Sequence, residues 1–141
     1  MLKVKSKVKI NSLKIKQINA AGAESLEETA EALHEEVQQA QVIPRRNGTL
    51  QGEGFFVDTS KSKRGKVTLV NSTPYARRWY YNPEGANFHH SKWKDKKGIE
   101  YDGNPNAKDH WFEDWMPGGK NEDFVQKSFT RRFRRKMEGF N

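Results

Sequence analysis

Four histidines carry the side chains whose ordinary pKa lies closest to neutrality: His34, His89, His90 and His110. A metal site needs several such ligands, and His89 and His90 with the Asp109-His110 pair could supply them. Adjacent histidines in a loop lack the i, i+4 spacing that places two ligands on one helix face. We therefore expect no metal site. We also expect His34, which lies among glutamates, to be a solvated surface residue.

The sequence contains no phosphate-binding or nucleophilic motif. A phosphate-binding loop needs glycines followed by a lysine and then Ser or Thr, but in Gly118-Gly119-Lys120 the next residue is Asn121. No G-x-S-x-G turn is present to expose a serine, and the chain has no cysteine to act as a thiolate nucleophile. The sequence therefore predicts no catalytic residue, no cofactor and a non-enzymatic protein.

The densest chemical signal is a run of aromatic and arginine residues. These residue types are enriched at protein–protein hot spots, because they bury a large area at modest entropy cost and keep a polar group. A short helix cannot bury the whole run, so part of it should be exposed in the isolated chain. A compact local core is the alternative interpretation. The residues that we assign to an assembly interface are Tyr75, Arg77, Arg78, Trp79, Tyr80, Tyr81 and Trp93.

Charge is arranged in blocks along the chain. Residues 24–36 hold six glutamates and no Lys or Arg, whereas residues 127–136 hold six Lys or Arg and no acid. Within the basic block, Arg131, Arg134 and Arg135 could contact DNA phosphates or an acidic protein, or face solvent. Because the chain has its own acidic block, head-to-tail contact between copies could pair the two blocks.

Composition bounds the architecture. A chain of 141 residues is long enough for one ordinary domain, and we treat residues 1–141 as a single domain. Leu, Ile, Val and Phe make up only 27 residues and the net charge is +8, values near those of disordered chains. The 16 aromatic residues indicate instead a modest core that completes its burial against other subunits. No apolar run approaches the roughly 18 residues of a spanning helix, so no membrane contact is expected.

Hydrophobic periodicity predicts the first two elements. In residues 1–11 apolar residues alternate with lysines, which is the period-2 pattern of a half-buried strand. From Leu13 onward apolar residues recur every three or four positions, which predicts a long helical segment over 13–43 that ends before Pro44. Gly22 is the weak point of this segment and could mark a break between two helices.

Turn signals divide the middle of the chain. Two apolar runs around a Ser/Lys/Gly-rich stretch predict a β-hairpin over 55–70. Pro74 after two hydroxyl residues predicts a short helix that ends at Tyr81. Residues 82–104 are predicted to form a long loop.

Helix caps organise the C-terminal third. Asn104-Pro105 predicts a helix to about Met116, and Asn121 is the expected cap of a final helix over 121–138. The apolar stripe of this final helix is Val125, Phe129, Phe133 and Met137. The predicted fold class is α+β: a small antiparallel sheet with a long N-terminal helix, short connecting helices and a basic C-terminal helix.

Three short segments together resemble a known family. They are GTLQG at residues 48–52, STPYARRWYY at residues 72–81 and AKDHWFE at residues 107–113, with a hairpin between the first two. This order resembles the minor capsid proteins of tailed bacteriophages, within the head–tail joining and tail-completion group. The resemblance covers residues 45–137. The chain departs from the family's pattern in the long loop and in the lysine-rich N-terminal strand.

The resemblance implies a virion structural protein with no catalytic residue, which forms a ring, commonly sixfold, in the phage neck. It also implies that the final helix packs behind the sheet. We therefore expect a non-enzymatic, ring-forming neck or tail-completion component that joins the head to the tail. A sequence-independent nucleic-acid-binding protein is the alternative, and a small nuclease is a more distant one.

The expected partners follow from that role. They are copies of the chain itself in a homo-oligomeric ring, a hexamer by the resemblance, and the adjacent connector and tail proteins. Non-specific contact with DNA is a further option. The expected location is the virion neck, after assembly in the host cytoplasm.

Overall fold

The computed structural model describes residues 11–44, 54–72, 76–85 and 106–139, together with the backbone of two strands at 92–94 and 100–102. These residues form an α+β protein, which confirms the predicted fold class. The elements are α1 (Ser12–Ala40), β1 (Phe55–Asp58), β2 (Thr68–Asn71), α2 (Ala76–Tyr81), β3 (Lys92–Lys94), β4 (Glu100–Asp102) and α3 (Phe124–Glu138). The strand predicted over 1–11 lies outside the described residues except for Asn11.

The long N-terminal helix is continuous over 29 residues, as its periodicity predicts. It begins after Asn11, whose side-chain oxygen accepts the backbone N–H of Lys14 at 3.1 Å. It ends at Gln41, which adopts a left-handed conformation with φ of 55°. Gly22 does not break it. The chain then turns inward, so that Val42 and Ile43 are buried.

The predicted hairpin is present as an antiparallel pair. In its register Phe55 lies opposite Asn71 and Phe56 lies opposite Val70. Opposite residues of an antiparallel pair share a face, so the face that carries Phe55 turns to the core and the face that carries Phe56 turns away. Between the strands, a 3₁₀ turn at Ser62–Arg64 contacts α1, where the Ser62 hydroxyl donates a hydrogen bond to the Glu27 carboxylate.

The core lies where α1, the hairpin and the segment before α3 meet. Its most buried large side chains are Val37, Ile43 and Trp111, each with no exposed surface, and Phe55 and Trp115 join the same cluster. Half-buried rings cover it: Trp79, Tyr80, Phe112 and Phe124. The core is therefore small, as the composition predicts, and aromatic rings supply half of its residues.

The helix predicted from Asn104-Pro105 to Met116 is wrong. In the described part of this segment the chain makes turns and one 3₁₀ turn, Glu113–Trp115. Its amides serve tertiary contacts instead of a helix: Lys108 N–H donates to the Val42 carbonyl at 3.0 Å, and His110 N–H to the Tyr80 carbonyl at 2.8 Å. His110 also adopts a φ of 46°, which a right-handed helix excludes.

The segment 82–104 is not wholly a loop, contrary to prediction. It contains the antiparallel pair of β3 and β4, in which Lys92 lies opposite Asp102 and Lys94 lies opposite Glu100. Both strands alternate charged and aromatic residue types with period 2. The register places opposite charges across the pair, which favours pairing even in so short a hairpin.

The C-terminal helix α3 begins later than predicted and packs against a different partner. Its N-cap is Asp123 rather than Asn121, and it packs on α1 rather than behind the sheet as the family resemblance implied. The ring of Phe133 lies over Gly22, within 3.9 Å of the position a β-carbon there would occupy. The members of the predicted apolar stripe are half-buried, and Phe129 stacks on Phe133 at 5.7 Å.

Candidate assembly surface

The aromatic and arginine run divides into an inner and an outer side on α2. Trp79 and Tyr80 are half-buried against the core, so they serve the fold as well as any interface. Arg77, Arg78 and Tyr81 are exposed. Of the other predicted interface residues, Tyr75 lies outside the described residues, and Trp93 belongs to β3, where only the backbone is described.

Tyr80 is the centre of an aromatic cluster that anchors α2. Its ring meets Trp111 edge to face at a centroid distance of 4.9 Å and also contacts Phe112 at 5.8 Å. Burial raises the pKa of the Tyr80 hydroxyl, and the nearby Glu113 carboxylate adds to the rise. Trp111 in turn donates its indole N–H to Asn71 on β2 at 3.0 Å. The helix is thereby fixed to the hairpin through side chains.

The outward ring of Tyr81 is held in place although it is 58% exposed. It meets Tyr80 edge to face at 5.2 Å and His110 at 5.7 Å. Beside it, the Arg78 guanidinium pairs with Glu84 at 2.5 Å. An exposed tyrosine with an ordered ring loses little conformational entropy when a partner covers it.

His110 and its neighbours form a small polar cluster at the edge of this surface. The His110 Nδ1–H donates to Asp109 at 3.2 Å, and Asn82 donates to the other oxygen of the same carboxylate at 3.2 Å. These hydrogen bonds, that from His110 above all, hold the pKa of Asp109 below its ordinary value. A carboxylate that orients an imidazole also occurs in catalytic triads. Here the imidazole ring contacts both Tyr80, at 5.2 Å, and Tyr81, at 5.7 Å, and the cluster fixes the left-handed turn at His110.

His34 is not the solvated surface residue that the sequence predicts. Its Nε2–H donates to the carbonyl oxygen of Phe55 at 2.9 Å, and its ring stacks on the Phe55 ring at 4.2 Å. The residue therefore ties α1 to β1. The signal was in the spacing, since His34 follows Ala30 by four positions and precedes Val37 by three, which places it on the core stripe.

Several large apolar side chains face solvent elsewhere on the molecule. Leu13 is 67% exposed and Ile15 43% on the first turns of α1, where every residue from 11 to 17 is exposed. Phe56 is 44% exposed on the outer face of the hairpin, and Met116 is 49% exposed. Single exposed apolar residues are common, but here they accompany a small core and an exposed aromatic helix.

The outward face of α3 carries all three predicted basic contact residues. Arg131, Arg134 and Arg135 are exposed and line one open groove together with Lys127 and Thr130. Thr130 was not among the predicted contact residues, although helical spacing places it beside Arg134. Two carboxylates, Asp123 and Glu138, line the same groove. The groove is thus basic along its length and acidic at both ends.

The inward basic residues of α3 are neutralised within the chain. Glu28 of α1 accepts a hydrogen bond from Lys136 at 2.7 Å and lies 3.9 Å from Arg132. The head-to-tail pairing of charge blocks between copies, which the sequence suggested, is therefore made in part inside one copy. What remains for a partner is the outer charge of each helix.

No protein-family model, curated protein or solved structure matches this chain. In the part of the chain that the structure describes, no helix has the length and apolar character needed to cross a membrane. The same residues contain no group of three or more His, Asp or Glu side chains placed to hold a metal ion.

Proposed function

We propose that the chain is a non-enzymatic structural protein of a tailed bacteriophage, a ring-forming neck or tail-completion component that joins the head to the tail. The observation that carries the proposal is the ordered, solvent-facing side of α2, with Tyr81 and the arginine pair beside it. The family resemblance of residues 45–137 supplies the biological setting. The proposal includes a location in the virion neck and copies of the chain as the first partner.

The core holds the inner side of α2 and leaves Tyr81 exposed on the outer side. Tyr80, Trp111 and Phe112 fix α2 from beneath, so that Tyr81 stands on a rigid base. A tyrosine ring buries a large apolar area and its hydroxyl still forms a hydrogen bond in the interface. Arg77 flanks it with a guanidinium that can pair with a partner's carboxylate, whereas Arg78 is already paired with Glu84. This combination supports docking onto another protein surface.

The test is genetic complementation in the phage that encodes the chain. Deletion of its gene should give separate filled heads and tails, and expression of the wild-type chain should restore joined particles. Tyr81→Ala should still fold, since Tyr81 is 58% exposed. Loss of its edge-to-face contacts with Tyr80 and His110 should lower the free energy of unfolding by about 1 kcal/mol. The variant should nevertheless fail to join heads to tails.

The matched control is Tyr81→Phe, which keeps the ring and loses only the hydroxyl. We expect it to restore most joined particles, as counted by negative-stain microscopy. If the deletion leaves joined particles at the normal level, the neck function is wrong. If Tyr81→Ala complements as well as Tyr81→Phe does, the α2 surface is not the contact.

Sequence-independent nucleic-acid binding is the second candidate, and the basic groove of α3 favours it. Three exposed arginines and Lys127 could neutralise up to four phosphates. Binding to duplex DNA would then weaken with salt with a slope of roughly −3 to −4 in log K against log salt, at about −0.9 per phosphate. A protein contact through the α2 rings has no such steep dependence.

A further inference from the structure

The two long helices present opposite charge on their outward faces. On α1, Glu24, Glu31 and Glu35 are exposed, and their spacing of seven and four residues places them on one side of the helix. We call these three residues the acidic ridge. On α3, the exposed Lys127, Arg131, Arg134 and Arg135 form the basic ridge.

Among the residues that the structure describes, most of this charge has no ion-pair partner within one copy. In the described residues, neither the three glutamates of the acidic ridge nor the three arginines of the basic ridge form an ion pair, and Lys127 contacts only Asp123, at 3.6 Å. The glutamate between the ridges, Glu28, is already occupied by Lys136 and Arg132. That internal contact shows that a carboxylate of α1 and cations of α3 meet in this fold at hydrogen-bond distance.

The ridges match in length as well as in charge. At about 1.5 Å per residue, the acidic ridge from Glu24 to Glu35 extends roughly 16 Å and the basic ridge from Lys127 to Arg135 roughly 12 Å. Each ridge contains members four residues apart, Glu31 and Glu35 in one and Arg131 and Arg135 in the other, so these side chains can alternate when the two helices lie side by side. Each ridge can therefore accommodate the other along most of its length.

The carboxylates of the groove distinguish a protein partner from a nucleic acid. Asp123 and Glu138 line the same groove as the arginines. A polyphosphate that followed this groove would meet a negative charge at each end, which costs affinity. The acidic ridge, at roughly 16 Å, is shorter than the roughly 22 Å of helix between Asp123 and Glu138, so it can lie between these two carboxylates.

We infer that the acidic ridge of one copy docks on the basic ridge of a second copy. The inference rests on the proposed assembly function, for which it names the contact between subunits. Because the two ridges lie on different helices, the contact joins unlike patches. Such a heterologous contact gives a closed ring when the rotation closes and a filament when it does not.

Charge reversal tests the contact directly. The first variant is Glu31→Lys with Glu35→Lys, and the second is Arg131→Glu with Arg135→Glu. Each places like charges opposite one another in the self-contact, so each should raise the self-dissociation constant roughly tenfold or more in sedimentation velocity at low salt. An equimolar mixture of the two should associate about as well as the wild type, because every contact in it again joins opposite charges.

Matched controls separate this contact from general charge effects. Glu113→Lys and Arg64→Glu change exposed residues outside both ridges and should sediment as the wild type does. At about 1 M salt, where the Debye length falls to about 3 Å, differences between the ridge variants should shrink. Circular dichroism should show the same helix content in all variants.

Three results would overturn the inference: wild-type protein that stays monomeric at every concentration reached, reversed variants that associate as tightly as wild type, or a mixture that does not recover. If the second variant instead loses binding to a duplex DNA probe while wild-type protein remains monomeric, the basic ridge is a DNA contact. Failure here is distinguishable from failure of the neck function. If only the ridge contact is wrong, deletion of the gene would still separate heads from tails, and Tyr81→Ala would still fail to rejoin them.

Discussion

Two buried tryptophans of the same segment, Trp111 and Trp115, differ in whether the indole N–H has a hydrogen-bond acceptor. The Trp111 indole N–H donates to Asn71 at 3.0 Å. The Trp115 indole nitrogen is buried, and no acceptor for it lies among the described residues. A buried donor without a partner costs free energy relative to its hydrated state, whereas a satisfied one contributes about 0.5–1.5 kcal/mol. The pair therefore gives an internal comparison at nearly equal burial.

We predict that Trp111→Phe destabilises the protein more than Trp115→Phe does. Both substitutions remove similar volume from the core, but only the first breaks a hydrogen bond, the one to the half-buried Asn71. The difference in the free energy of unfolding should be about 1–3 kcal/mol, measured by urea denaturation. Equal losses would mean that ring volume alone decides, and that the Asn71 contact contributes nothing.

For single residues, the sequence predicts exposure on α2 better than it predicts side-chain contacts. The exposure of Arg77, Arg78 and Tyr81 follows from the density of the run, which one helix cannot bury. The glutamates around His34 indicate a solvated residue, but its helical spacing places it on the core side of α1, where it stacks on Phe55. The contact of Asp109 with Asn82 joins residues 27 apart in sequence, and no local pattern indicates it.

At the scale of elements, the long helix contains one glycine with room for a side chain. A β-carbon on Gly22 would meet the Phe133 ring at 3.9 Å, which is ordinary van der Waals contact. Glycine within a helix is less favourable than alanine by up to about 1 kcal/mol. Gly22→Ala should therefore raise the free energy of unfolding by about 0.5–1 kcal/mol, with a higher melting temperature in calorimetry.

The opposite outcome is expected at Gly119, which serves as the contrast. A β-carbon there would lie 2.1 Å from the Glu113 carbonyl oxygen, so the loop before α3 must shift. Gly119→Ala should lower the melting temperature. If Gly22→Ala is destabilising as well, then α3 packs on α1 more tightly than these distances indicate.

Helices and strands could be predicted where local sequence signals determine them, but not where contacts with distant residues do. The helix α1 follows from its period and the hairpin from two apolar runs around a polar turn. The turns after residue 105 do not, because their amides bond to Val42 and Tyr80, and these partners are distant in sequence. For α3, periodicity identified the apolar stripe but not the surface it covers.

At the scale of the whole molecule, a small core is surrounded by exposed aromatic, apolar and charged surfaces, which the proposed assembly would use. The outer side of α2 offers an ordered tyrosine, the first turns of α1 expose Leu13 and Ile15, and the two long helices carry opposite ridges. The composition predicts such a chain, since few aliphatic residues leave burial to be completed by association. Which faces remain open depends on helix packing, and the structure was needed to identify them.

The proposed neck function is tested most directly by an asymmetric cryo-electron microscopy reconstruction of the neck of virions from the phage that, under this proposal, encodes the chain. We expect a closed ring of copies between head and tail, with α1 of each copy beside α3 of the next and Tyr81 covered by a neighbouring protein. Absence of the chain from purified virions, or its location elsewhere on the particle, would show that the proposed neck function is wrong.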